Sequence, residues 1–221
     1  ILKTAIEIYC AMLLMENPFP TSVHKVGWAK KAWTQACHHH NNKLAHDGGI
    51  LKLIMARSTH IRGQFKSKAH PIIVTTFGFE TSADKGVQAK NCLLVSELKQ
   101  DLAFIFCAWG SSLDEHTSLY TNPVIQQVVN KVLFKNKLDD GIKWGKYYNP
   151  FPPVAFALTL MAIKCAIDEW ASGLCEMISF KEDDYFGVFN SHLISLDEFS
   201  KAAGKLDLLK KVLKQVYDTR W

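Results

Sequence analysis

The 221-residue sequence is poor in the spacings that announce a reaction. None of its six cysteines forms Cys-x-x-Cys, which excludes zinc-ribbon and thioredoxin-like spacing. Gly-x-Ser-x-Gly, a phosphate-binding glycine loop, Gly-x-Gly-x-x-Gly and His-Glu-x-x-His are all missing. No catalytic residue and no cofactor is therefore assigned from sequence. Asn-x-Ser/Thr sequons are missing too. A core of this size needs no covalent staples, so free thiols in a reducing, intracellular compartment are expected. The longest apolar run, Pro152 to Ile163, falls well short of the ~20 residues that cross a bilayer, so no membrane span is expected. Arginine is scarce, at three residues.

What is present points to a well-filled core. Hydrophobic residues make up 48% of the chain, with 13 Phe, 6 Trp and 6 Tyr. Charge is unevenly spread. Residues 1–90 carry 12 Lys and Arg against 5 acids, whereas residues 91–221 carry 14 against 16. Between Lys25 and Lys68 lie nine basic residues, and Asp47 is the one acid. Such asymmetry suggests an anionic partner. The chain begins at Ile1, without Met, inside an apolar helical run. It is expected to be the C-terminal part of a longer protein.

Nearly every apolar pattern has a period near 3.6. The first helix ends near Glu16, before Asn17-Pro18. Thr21 or Ser22 caps a second helix to about His40, and Gly48-Gly49 marks a turn. A third helix is expected over about 50–68, with a separate short helix over 71–79 after Pro71. Residues 88–109 read as helix and Gly110–Ser118 as loop. Asn122-Pro123 is a cap followed by a first-turn proline. An irregular stretch spans 137–153, and Pro153 opens an apolar helix to about Ser172, stopped by Gly173. Ser179 with Glu182 predicts a capping box for a helix over 180–200, and a last helix follows Gly204 over 205–217. The expected fold is all-α: one domain over 1–221, with about eight helices around the helix 153–172.

Four stretches invite a functional reading. "CHHH" (37–40) is conspicuous, but adjacent residues on a helix fan apart by ~100°, so three neighbouring rings do not converge on one ion. No metal site is assigned. Protonation of histidines below pH ~6.5 would add positive charge to the basic half. "LKLIMARSTHIRGQFKSK" (51–68) places Lys52, Arg62 and Lys66 on one face of a continuous helix, where they suit phosphate contacts. Arg57 falls on the apolar face and calls for a buried carboxylate, for which Glu169 or Asp168 is the candidate. "GIKWGKYYNPFPP" (141–153) interleaves Lys143, Lys146 and Tyr147 with other rings, a pattern suited to stacking bases and tracking phosphates. The acids Glu182, Asp183 and Asp184 lack the spacing of a calcium loop and suit the first turn of a helix. "GSSLDEH" (110–116) holds serine, acids and histidine in no known catalytic order.

The order of these stretches is itself distinctive. "ARSTHIRGQFKSKA" (56–69), "YTNPVIQQVVNKVLF" (120–134), "GIKWGKYYNPFPPVAFAL" (141–158), "AIDEWASG" (166–173) and "FKEDDYFGVFNSHLISL" (180–196) follow one another. Together they resemble an uncharacterised all-helical domain family, a domain of unknown function expanded in mushroom-forming basidiomycete fungi. The resemblance covers nearly the whole chain from about residue 40 and implies no activity. It implies a domain near the C-terminus of longer proteins and a nuclear setting. The leading expectation is a non-enzymatic binding module whose basic half meets nucleic acid or an acidic protein. A protein–protein interaction or oligomerisation scaffold and an enzyme of unrecognised class are the alternatives.

Overall fold

Caps and non-helical backbone divide this chain into its helices. The computed structural model describes residues 1–108 and 115–220. Helix α1 (Leu2–Met15) ends before Asn17-Pro18. Helix α2 (Ser22–His39) starts at Thr21, whose hydroxyl accepts the His24 N–H at 3.3 Å. Asp47 caps α3 (Gly48–Met55) by accepting from Ile50 N at 2.7 Å, so Gly48 and Gly49 open a helix instead of forming a bare turn.

Helix α3 stops at Met55, and α4 (Arg57–Phe77) begins after Ala56. The expected continuous helix over 50–68 is therefore α3 and the first part of α4, meeting at Ala56. Helix α4 in turn runs straight through Pro71, so the expected short helix at 71–79 is its last turns. Gly78, at φ 78°, stops it in the left-handed conformation.

Helix α5 (Lys85–Lys99) is capped by Asp84, which accepts from Gly86 N and Val87 N at 2.8 and 3.1 Å. It ends earlier than its Leu- and Phe-rich sequence predicts. Asp101 and Leu102 take φ of 49° and 56°, which no α-helix continues. A 3-10 turn (Gln100–Ile105) leads into strand β1 (Phe106–Ala108), which pairs antiparallel with β2 (Thr117–Leu119). The serine–acid–histidine stretch lies mostly outside the described residues, since 109–114 are not among them.

Helix α6 (Pro123–Leu133) has the expected Asn122 cap, accepting from Val124 N at 3.0 Å. The irregular stretch 137–153 holds a single turn, α7 (Asp140–Lys143), and a 3-10 turn at Gly145–Tyr147. Helix α8 (Pro153–Asp168) follows, then α9 (Glu182–Ala203) and α10 (Leu208–Asp218). The capping box at Ser179 and Glu182 does not form: α9 starts at Glu182 without a side-chain cap.

Apart from the small β1–β2 hairpin, the described architecture is helical throughout. Helix α8 is its centre. All residues from Ala155 to Ile163 are buried, as are Cys165, Ala166 and Ile167. It packs against α1, α4, α5, α6 and α9. Each large apolar side chain buried there contributes about 1.5–3 kcal/mol. Helix α1 is similarly enclosed, between α2, α3, α4 and α8.

Candidate functional site

The buried face of α4 includes basic residues. Ser58, Arg62, Lys66 and His70 recur every four residues on α4, so they form one stripe. That stripe faces inward. Ser58 Oγ lies 2.8 Å from the Tyr9 hydroxyl. Arg62 donates from Nη1 to the Pro18 carbonyl at 2.6 Å and from Nη2 to Glu182 at 3.5 Å. Its guanidinium carbon stands 4.6 Å from the Phe19 ring centre. Burial pushes the Arg62 guanidinium below its usual range, and Glu182 opposes that shift.

Glu169, at the end of α8, is fully buried. Lys66 Nζ is 2.7 Å from its Oε1, and His70 Nδ1 is 2.6 Å from its Oε2. Oε1 also accepts the Ile178 N–H at 3.2 Å, while Lys66 donates to the Ile178 carbonyl. The expected partner of Glu169 was Arg57, and this pairing is corrected. Arg57 sits half-buried at the start of α4 with its Nε buried and unbonded. The geometric cause is the breadth of the buried face of α4, which takes in Ser58, Ile61, Arg62, Phe65 and Lys66 and leaves Arg57 outside it. Arg62 and Lys66 are 6% and 9% exposed, which removes them from the solvated face predicted with Lys52. Lys52 itself is exposed on α3.

Solvent-facing basic groups gather elsewhere. No Asp or Glu occurs between Glu16 and Asp47, a span that includes all of α2. Lys30, Lys31, Thr34, His38 and His39 on this helix are exposed. Beside it run residues 144–147. The two segments enclose a groove of about 440 Å³ lined by Thr34, Gln35, His38, His39, Trp144, Lys146 and Tyr147, with Ile8 at its base. Among the described residues no carboxylate lines it. The Tyr147 hydroxyl donates to Gln35 Oε1 at 3.5 Å, and Lys146 Nζ lies 4.9 Å from the Tyr147 ring centre. The His39 ring is 5.5 Å from Trp144. A second depression, of about 650 Å³, lies across His38 and includes Cys37, Asn41, Asn42 and Lys43. It too has no acid in its lining.

Of the sequence-predicted anion contacts, the groove takes in Lys146 and Tyr147. Lys143, though exposed, pairs with Glu7, which also accepts from Trp144 Nε1 at 3.1 Å. Asp140 lies in the same neighbourhood. Burial, reinforced by the charge of Glu7, pushes its carboxyl up to about 6. Thr34, Gln35, His38 and His39 were not assigned from sequence. The acid-free run of α2 is the signal that points to them.

The three consecutive histidines have different neighbours. His39 faces Trp144, while His40 Nε2 lies 2.8 Å from Thr4 Oγ1. Among the described residues no group of three or more His, Cys, Asp or Glu is placed to hold a metal ion. All six cysteines are free thiols. Among the described residues no helix is long and apolar enough to cross a membrane.

No curated protein and no solved structure matches the chain. A family model does, over residues 4–199, with both segments of the groove inside the match. The chain thus belongs to the family described as a domain of unknown function, DUF6532.

Proposed function

We propose that this domain is a binding module whose groove between α2 and residues 144–147 receives a single-stranded nucleic acid. The supporting observation is the lining: Lys146, His38 and His39 stand with two aromatic side chains and no carboxylate. Cations follow a phosphate chain, and an aromatic face beside them gives a base somewhere to stack. Lys30, Lys31 and Lys43 extend the basic surface on either side of His38.

Fluorescence anisotropy with a labelled single-stranded oligonucleotide tests this. Affinity is expected to fall steeply as salt rises from about 50 to about 200 mM, because ~0.7 counterions are released per phosphate neutralised. The double variant Lys146→Ala/Tyr147→Ala should weaken binding about tenfold at low salt. Lys52→Ala, on α3, should leave affinity nearly unchanged. Absence of binding at low salt would overturn the reading.

A further inference from the structure

His70 has a second neighbour beyond Glu169. Its Nε2 lies 4.0 Å from Sγ of Cys175, at the outer edge of a thiol–imidazole contact. Its Nδ1 lies 2.6 Å from Glu169 Oε2, while Lys66 sits 2.7 Å from Oε1. In the neutral tautomer with hydrogen on Nδ1, the ring donates a hydrogen bond to this carboxylate. The lone pair on Nε2 is then left facing the thiol.

Three parts of the fold build this arrangement. Helix α4 supplies His70, the end of α8 supplies Glu169, and the irregular segment after it supplies Cys175. That segment is pinned on both sides of the thiol. Gly173 has φ 84°, and a Cβ there would stand 2.5 Å from the Gln88 carbonyl oxygen. The Gly173 carbonyl accepts from Asn91 Nδ2 at 2.9 Å, and Glu176 N donates to the Glu169 carbonyl at 2.8 Å. Cys175 and His70 are both partly exposed, whereas Cys10, Cys37 and Cys165 are buried. Leu174 and Met177 flank the thiol with 39% and 74% of their surface exposed, which offers apolar contact to a substrate tail.

We propose that Cys175, His70 and Glu169 form a base-assisted thiol site that accepts an acyl group from a thioester. Sγ attacks the carbonyl carbon while the thiol proton passes to His70 Nε2. The new S–C bond forms as the donor's C–S bond breaks, and the departing thiolate takes the proton back from Nε2. Glu169 holds the imidazole and stabilises its transient positive charge. Burial pushes the Cys175 thiol up and Glu169 pushes it the same way, with Lys66 opposing. The thiol therefore rests neutral, and its proton must leave during attack.

The test uses the full chain and a small acyl thioester, S-acetyl-N-acetylcysteamine, at neutral pH. Peptide mass mapping reads acetylation of each cysteine with time. Cys175 should acylate at least tenfold faster than partly exposed Cys92, whose Sγ faces the Ala171 carbonyl at 3.6 Å. His70→Asn should remove that advantage, and Cys175→Ser should leave its peptide unmodified. Equal rates at Cys175 and Cys92, or an unchanged rate in His70→Asn, would overturn the proposal. Iodoacetamide on the unaltered chain reads the same point should His70→Asn fail to fold. At neutral pH its rate at Cys175 should exceed its rate at Cys92 at least tenfold. A rate no higher than that at Cys92 would sink the proposal.

Discussion

Helices α2 and α4 are both rich in basic residues, yet they use them in opposite ways. On α2, Lys30 and Lys31 stay exposed, and the sequence around them has no acid. On α4, Arg62 and Lys66 are enclosed, each beside a carboxylate from a distant part of the chain. One helix presents charge to solvent; the other uses it to hold the fold together. Sequence composition sums the two as a single basic half. The fold shows that free positive charge is set by where Glu169 and Glu182 arrive, more than by how many lysines precede them.

The largest effect should come from breaking the α4 arrangement. Glu169→Ala leaves Lys66 facing a void in a buried site, and a loss of about 3–5 kcal/mol is expected in urea unfolding. Lys66→Met should cost nearly as much, whereas Lys66→Met with Glu169→Gln should recover part of the loss, because no uncompensated charge remains. A cost below ~1 kcal/mol for Glu169→Ala would erase the contrast between the helices.

A buried basic group without a carboxylate sharpens the same comparison. Burial, then the charge of Lys164, lowers the His192 imidazole to about 4, and its Nε2 has no hydrogen-bond partner among the described residues. The folded state therefore binds this proton less readily than the unfolded chain. Stability is complete at pH ~7 and falls as pH drops below ~6.5, by about 3 kcal/mol at pH ~4. His192→Leu should abolish this contribution, seen as a flatter dependence of the unfolding midpoint on pH.

The smallest stability effect belongs to α2. Lys30→Ala/Lys31→Ala should shift the unfolding free energy by less than ~0.5 kcal/mol. The salt dependence of oligonucleotide binding should nevertheless become shallower, by roughly 0.7 in log–log slope for each phosphate left without its lysine.

Some of this was legible in the sequence. The unbroken apolar run after Pro153 reads as a central helix, and α8 is one. Asn122-Pro123 reads as a cap, and Asn122 forms it. Other features had no local signal. The buried face of α4 is wide enough to include Arg62 and Lys66 beside Ile61 and Phe65, whereas residue type alone would place both basic groups in solvent. Asp101 and Leu102 end a helix with left-handed backbone that sequence patterns reserve for glycine. Glu182 looked like half of a capping box, but its carboxylate lies beside Arg62, 120 residues away. The groove joins α2 to residues 144–147, and no short window contains both.

The clasp around Glu169 also governs how much of its own neighbourhood can drift. One carboxylate takes the Ile178 N–H while Lys66 takes the Ile178 carbonyl, so two side chains do for this stretch what a neighbouring strand does in a sheet. The backbone path from Glu169 to Ile178 is then written in a few positions, with Gly173 setting the bend. Ser172, Leu174 and Met177 are exposed. Leu174 and Met177 are free to vary in size and polarity, giving the domain a surface that can be rewritten around a fixed thiol without altering the chain beneath it.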